Sequence, residues 1–143
     1  MTTPPAGSTL SVAGVYRRFA LLSTLTAAAL ALLGYFPTTA LAGASGPVGM
    51  LTGIAISLVA ALAGLAPPIL ALNHPAPQRV SAMFQGIVVR FGVVILLTAA
   101  VVLGGRLERG PVLVWMALAY LVLMFVDSLA LVRLVQRMDK AAS

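Results

Sequence analysis

The sequence has no cysteine and very little acid, since only three of its 143 residues are Asp or Glu. The lack of cysteine excludes disulfide frameworks, thiolate metal sites and cysteine nucleophiles. The carboxylates Glu108, Asp127 and Asp139 are too scattered for acid–base chemistry by a carboxylate pair. The single histidine, His74, lies in a proline-rich loop without neighbouring ligands. We therefore predict that the chain is not an enzyme and holds neither a metal nor a cofactor.

Charge of either sign is scarce: 8% of the residues are charged and 61% are hydrophobic, with a mean hydropathy of +1.08. An average soluble domain has about 25% charged residues. So few charges cannot cover a water-exposed surface, and most of the outer surface must face the lipid bilayer. At about 20 residues for each crossing, the length allows four helices. The predicted fold is an all-α membrane protein, a bundle of four transmembrane helices.

Four apolar stretches lie between two short polar ends. Residues 1–15 are rich in Pro, Gly, Ser and Thr and are predicted to form a disordered tail, and residues 138–143 a C-terminal tail. The transmembrane domain is predicted over residues 16–137. Its four spans cover about residues 19–41, 47–72, 82–104 and 111–134.

Basic residues are distributed unevenly around these spans. On a four-helix path, only Arg106 and Arg109 fall on one side of the membrane. Six fall on the other side: Arg17, Arg18, Arg79, Arg133, Arg137 and Lys140. The positive-inside rule makes the richer side cytoplasmic, so both termini are predicted to be cytoplasmic. These flanks account for most of the net charge of +6 without nucleic acid, for which neither a basic tail nor an aromatic platform is present.

The first span has a second interpretation. Arg17 and Arg18 precede a hydrophobic run that closes with Ala40-Leu41-Ala42, which is the pattern of a secretory signal with an A-x-A cleavage site. The run is longer than the usual core of about 7–15 residues, and this favours a retained helix. If cleavage occurs, three helices remain with the same orientation.

Small residues recur at helical spacing along the second span. Gly49 and Gly53 form the G-x-x-x-G motif of closely packed membrane helices. The predicted packing face consists of Gly49, Gly53, Ser57, Ala60 and Gly64. Such a face either packs inside the bundle or forms a groove for a helix of another protein, and both interpretations stay open.

Two ionisable residues lie inside the predicted spans, Arg90 in the third and Asp127 in the fourth. Either alone costs about 3 kcal/mol at mid-bilayer. Arg90 lies about 12 Å from the cytoplasmic start of its span and Asp127 about 9 Å from the cytoplasmic end of its own. Because successive spans run antiparallel, we predict an intramembrane ion pair, with Gln85 and Tyr120 as further candidates for this site. The pair either locks the register of the two helices or engages a partner, unless Arg90 snorkels to the headgroups.

The third span contains its basic residue within Phe84-Gln-Gly-Ile-Val-Val-Arg-Phe-Gly-Val-Val-Ile-Leu-Leu-Thr98, and the fourth ends in Asp127-Ser-Leu-Ala-Leu-Val-Arg-Leu. With four short spans, short loops and both termini inside, this layout resembles the ATP synthase subunit I family. Arg90 stands where that family usually has an intramembrane basic residue. The family more often has Lys there, and Arg keeps the charge but changes the hydrogen-bond geometry.

The resemblance implies a place in the bacterial inner membrane and a role in assembly. Members of the family are thought to assist assembly of the rotor ring of F-type ATP synthase, and a role in Mg²⁺ supply has also been suggested. The resemblance thus implies a chaperone that binds rotor-subunit helices within the bilayer, with Arg90 meeting the buried carboxylate of the rotor helix.

Two other functions stay open: a small ion transporter or oligomeric pore, and an accessory subunit that stabilises a larger membrane complex. The polar groups within the spans cluster in the cytoplasmic half, which argues against a pore through a single chain. A homo-oligomer that lines a pore is not excluded by this argument.

Overall fold

The computed structural model describes residues 11–105 and 107–142, and its regular structure there is helical, which confirms the expected all-α class. The helices are α1 (Val12–Ala42), α2 (Gly46–Leu70), α3 (Ala76–Leu103) and α4 (Arg109–Ala142), with a 3₁₀ turn at Gly43–Ser45. Three helical segments are long and apolar enough to cross a membrane: Val12–Leu70, Ala76–Leu103 and Arg109–Arg137. The first of these segments includes both α1 and α2. The number of crossings and the side of the termini stay predictions.

The helices are longer than the hydrophobic spans predicted for them. Helix α1 begins at Val12 because Ser11 caps it, its Oγ accepting a hydrogen bond from the Gly14 amide at 3.3 Å. Residues 12–15 are therefore helical rather than part of a tail, while residues 1–10 lie outside the described residues. Helix α4 likewise continues to Ala142, through the predicted C-terminal tail. Hydropathy marks the part of a helix that suits hydrocarbon, whereas backbone hydrogen bonding continues into flanks of good helix formers.

Helices α1 and α2 form an antiparallel hairpin. Gly43 ends α1 with a φ of +67°, a conformation that glycine adopts without steric cost. Near this turn the Thr38 hydroxyl donates to the sulfur of Met50 at 3.4 Å. At the far end the Tyr16 hydroxyl donates to the carbonyl of Leu62 at 3.0 Å. The two helices therefore stay in contact over most of their length.

Helix α2 is the centre of the bundle and packs against each of the other three helices. Its predicted packing face is buried at every position: Gly49, Gly53, Ser57, Ala60 and Gly64. A Cβ atom on Gly53 would lie 2.7 Å from the backbone nitrogen of Met116, and the Ser57 hydroxyl donates to the carbonyl of Met116 at 2.8 Å. A Cβ on Gly64 would lie 2.8 Å from the carbonyl oxygen of Gly86. This face is thus covered by α4 and α3 of the same chain and offers no free surface to a partner helix.

Large apolar side chains cover the outside of the bundle. Phe36 and Leu103 are 80% and 85% exposed, and most of the other Leu, Val, Ile and Phe side chains on the outer faces are also exposed. Soluble monomers rarely expose contiguous apolar patches larger than a few hundred Å². Together with the three apolar segments, this surface is that of a membrane protein.

Candidate functional site

Arg90 and Asp127 meet in the interior of the bundle. Nη2 of Arg90 lies 3.0 Å from Oδ2 of Asp127, and the two residues are only 9% and 1% exposed. The two residues that we singled out in the third and fourth spans are thus in direct contact across α3 and α4. Whether the pair engages a partner stays a prediction.

The small residues of α3 place Arg90 at this depth. Ala82, Gly86 and Arg90 recur every four residues and are the buried residues of this helix. Because Gly86 lies directly against Gly64, α3 approaches α2 closely and the stem of Arg90 lies over Gly64. A Cβ on Gly64 would lie 2.9 Å from that of Arg90, so a larger residue at position 64 would displace the stem of the arginine.

A third helix joins the ion pair through Ser23 of α1. Its hydroxyl donates to Oδ1 of Asp127 at 2.8 Å, and the side chain is fully buried. Both carboxylate oxygens therefore have a donor, one from α1 and one from α3. Ser23 was not among the residues predicted from the sequence, although it lies four residues from each of the buried Phe19 and Ala27. That spacing was the available signal.

One aromatic ring, that of Tyr120, lies against the guanidinium. Its central carbon lies 5.3 Å from the ring centroid of Tyr120, and the Tyr120 ring packs edge-on against Phe91 at 5.8 Å. A cation held over a desolvated ring is stabilised by the quadrupole of that ring. Tyr120 therefore belongs to the site.

Gln85 does not belong to the site. Its side chain is exposed and borders a separate depression near His74 and Gln78, between α2 and α3. Five residues separate Gln85 from Arg90, which places them about 140° apart around the helix. The suggestion that Gln85 extends the polar site is therefore not supported by its position.

One donor of the buried arginine is unused. Nε of Arg90 is buried and has no hydrogen-bond partner among the described residues. A guanidinium carries five N–H donors, and a buried donor without an acceptor is unfavourable. The ion pair is neutral as a whole, so the site lacks an acceptor rather than a countercharge.

A cavity of about 480 Å³ lies beside the ion pair, between α3 and α4 and over α2; we call it the α3–α4 groove. Arg90, Asp127 and Tyr120 form its polar wall. The rest of the lining is mostly apolar and consists of Gly64, Leu65, Pro68, Met83, Gly86, Ile87, Phe91, Met124, Ser128, Leu131, Val132, Val135 and Gln136. Ligand sites commonly have about 300–1,000 Å³, apolar walls and a few polar groups. The groove has the size and lining of such a site.

Comparisons of the chain with models of protein families, with curated proteins and with solved structures find no significant match. The resemblance to the ATP synthase subunit I family therefore rests on the layout of the spans and on Arg90, and it stays a prediction. Within the described residues, no group of three or more His, Asp or Glu side chains is placed to hold a metal ion.

Proposed function

We propose that this protein is a membrane assembly factor that binds a transmembrane helix of a client protein in the α3–α4 groove. The groove carries the proposal, because it is an apolar cavity open between two helices with a buried arginine in its wall. The proposed client is the rotor-ring subunit of an F-type ATP synthase. That identity rests on the resemblance of the third and fourth spans to the subunit I family.

We propose four crossings of a bacterial inner membrane, with both termini in the cytoplasm. Helix α1 has 31 residues and α2 has 25, so they extend about 46 and 37 Å at about 1.5 Å per residue. Each exceeds a hydrocarbon thickness of about 30 Å, and their hairpin returns the chain to the side on which it started. The basic flanks at Arg17, Arg18, Arg133 and Arg137 then all lie on one side, as the positive-inside rule requires of a cytoplasmic side.

The dimensions of the groove suit a helix. Its α4 wall runs from Tyr120 to Gln136, which corresponds to about 24 Å of helix, most of the hydrocarbon thickness. Met83 and Met124 lie on opposite walls, and methionine side chains adapt to irregular surfaces. The small-residue face of α2, which we considered for this role, is already covered by α3 and α4. The groove is therefore the better place for a client helix.

Polar groups that an ion would need are scarce in a separate depression farther along α3 and α4. There the space between α3 and α4 is lined by Val94, Ile95, Thr98, Ala99, Val102, Leu113 and Met116. In the part of the chain that the structure describes, this lining offers one hydroxyl, and Thr98 donates it to the sulfur of Met116 at 2.7 Å. A channel through a single chain requires a polar lining across the whole membrane. This observation favours helix binding over transport.

Site-directed crosslinking tests the proposal sharply, because the chain has no native cysteine. A photo-crosslinker attached to Ile87→Cys projects into the groove, whereas one on the adjacent Val88→Cys projects from the same helix outside the groove. Both positions are apolar and exposed, at 56% and 70%. In membranes that contain the ATP synthase, we expect the rotor subunit, identified by mass spectrometry, to crosslink to position 87 and not to position 88.

Two outcomes would contradict the proposal. Equal crosslinking at both positions would mean that the groove is not the docking site. Crosslinks at position 87 that never contain the rotor subunit would remove that subunit as the client and favour an accessory role in another complex. Mg²⁺ flux into liposomes that contain the purified protein would instead support the transporter.

A further inference from the structure

We infer that the α3–α4 groove recognises its occupant through an uncharged hydrogen-bond acceptor rather than through an ionised carboxylate. An amide, a hydroxyl or a protonated carboxyl group would serve. The inference rests on the proposed docking of a helix and specifies the chemistry of that helix. It departs from the expectation, implied by the resemblance, that Arg90 pairs with an ionised carboxylate of the client.

The charges at the site are already balanced. Arg90 and Asp127 form a pair at 3.0 Å, and the second carboxylate oxygen of Asp127 accepts from Ser23 at 2.8 Å. Tyr120 is the other titratable group in the lining of the groove, and it presents its ring face to the guanidinium. Helix α2 contributes only Gly64, Leu65 and Pro68, none of which titrates. Among the lining residues there is thus no excess of positive charge.

An ionised carboxylate would leave this site with a net negative charge. Removing that ion from water is unfavourable, and its attraction to Arg90 would be offset by repulsion from Asp127. The open hydrogen-bonding capacity of the site is instead the guanidinium of Arg90, which lines the groove and carries five N–H donors, with Asp127 accepting at Nη2. An uncharged oxygen can accept from the guanidinium without bringing a charge into the groove. The geometry therefore favours a polar, neutral side chain at the depth of Arg90.

Three synthetic single-span peptides test this inference. They share one Leu/Ala sequence and differ at one central position, which carries Gln, Leu or Glu. The protein is placed in phosphatidylcholine bilayers, and binding is followed by energy transfer from Trp115, its only tryptophan, to a dansyl group on the peptide. We expect the Gln peptide to bind on the order of 10- to 100-fold more tightly than the Leu peptide, the usual range for a hydrogen bond to a charged group.

The pH dependence separates the neutral acceptor from the ion. Between pH 5 and pH 9 the Gln peptide should bind with constant affinity. The Glu peptide should match it at low pH, where its carboxyl group is protonated within the membrane, and should bind more weakly as the pH rises. The Gln peptide, measured at the same pH values, is also the control for a change in the protonation of Asp127, because such a change would alter the binding of both the Gln and the Glu peptide.

Two variants probe the source of the preference. Asp127→Asn leaves Arg90 without its countercharge, so the order should reverse, and the Glu peptide should bind more tightly than the Gln peptide at high pH. Gln85→Leu removes a polar side chain from the same helix outside the groove and should leave all three affinities unchanged. The comparison of the peptides on the unmodified protein needs neither variant, so it remains decisive if a variant does not fold.

The outcomes distinguish the inference from the proposed function. If none of the peptides binds, helix docking in the groove is refuted and the inference falls with it. If all three bind equally at every pH, docking stands and recognition of a neutral acceptor is refuted. If the Glu peptide binds the unmodified protein best at high pH, the ionised carboxylate is the ligand and the inference is wrong.

Discussion

Removing one member of the Arg90–Asp127 pair should cost far more stability than the pair itself provides. Both residues are buried, and their charged atoms are 3.0 Å apart. A single change, Arg90→Met or Asp127→Leu, leaves one buried charge without a partner, and such a loss costs about 3–5 kcal/mol. The double variant leaves no buried charge, so we expect it to lose no more than either single variant. The coupling energy is then at least about 3 kcal/mol.

These free energies are measured by reversible unfolding in mixed detergent micelles, with the loss of helix monitored by circular dichroism. The double variant is a better test than a charge swap, because a swap would place the longer arginine side chain at position 127, which is 1% exposed, and would change the packing as well as the charges. The freed Ser23 hydroxyl can donate to a carbonyl of its own helix, as the Thr24 hydroxyl donates to Ala20 at 2.7 Å. Thr24→Ala, on the exposed side of α1, is the control and should leave the stability unchanged.

Two results would refute this reasoning. If the losses of the two single variants simply add in the double variant, the residues are not energetically coupled. If Arg90→Met alone loses nothing, the arginine reaches the headgroups in the membrane and the contact with Asp127 contributes no stability. Ser23→Ala removes one hydrogen bond to the carboxylate but no charge, and it should lose about 1.5–3 kcal/mol, the range for a hydrogen bond to a charged group.

Substitutions at Gly53, Tyr120 and Gly34, with Gly92→Ala as a control, test the packing of the bundle. Gly53→Ala places a methyl group against the backbone of α4 and should lose about 1–3 kcal/mol in the same unfolding assay, whereas Gly92→Ala has open space and should be neutral or slightly stabilising. Tyr120→Phe keeps the ring over the guanidinium and should be neutral, but Tyr120→Leu should lose about 1–2 kcal/mol of the cation–π contact. Gly34→Ala would overlap the ring of Trp115, so it should shift the emission of this sole tryptophan and lower the midpoint of unfolding.

Position along the helix axes could be predicted from the sequence, whereas the lateral arrangement of the helices could not. Counting residues from the ends of the spans put Arg90 and Asp127 at similar depths, because a helix has a fixed rise per residue. Hydropathy does not say which helices are neighbours, and α3 packs on α2 rather than closely against α4. The participation of Ser23 depends on that arrangement, since it requires α1 to lie beside α4.

Helical angle separates the candidates that belong to the site from the one that does not. Tyr120 is seven residues from Asp127, almost two full turns, so both face the groove. Gln85 is five residues from Arg90 and faces another depression. The small-residue face of α2 was identified from the sequence, but its spacing is the same whether the partner is α4 or a foreign helix. Only the packing of the whole chain shows that α3 and α4 cover it.

The structural and functional interpretations of the ion pair need not compete. Helix α3 is anchored through Ala82, Gly86 and Arg90, and none of its described residues beyond Arg90 is buried. The Arg90–Asp127 contact joins α3 to α4 in the wall of the α3–α4 groove, so it fixes the distance between the two helices at that point. A groove of fixed width and a hydrogen-bond donor that is already in position both reduce the free-energy cost of ordering the site when a helix binds. If the groove binds a helix as proposed, the contact that holds α3 and α4 together is also the one that keeps the groove ready for its occupant.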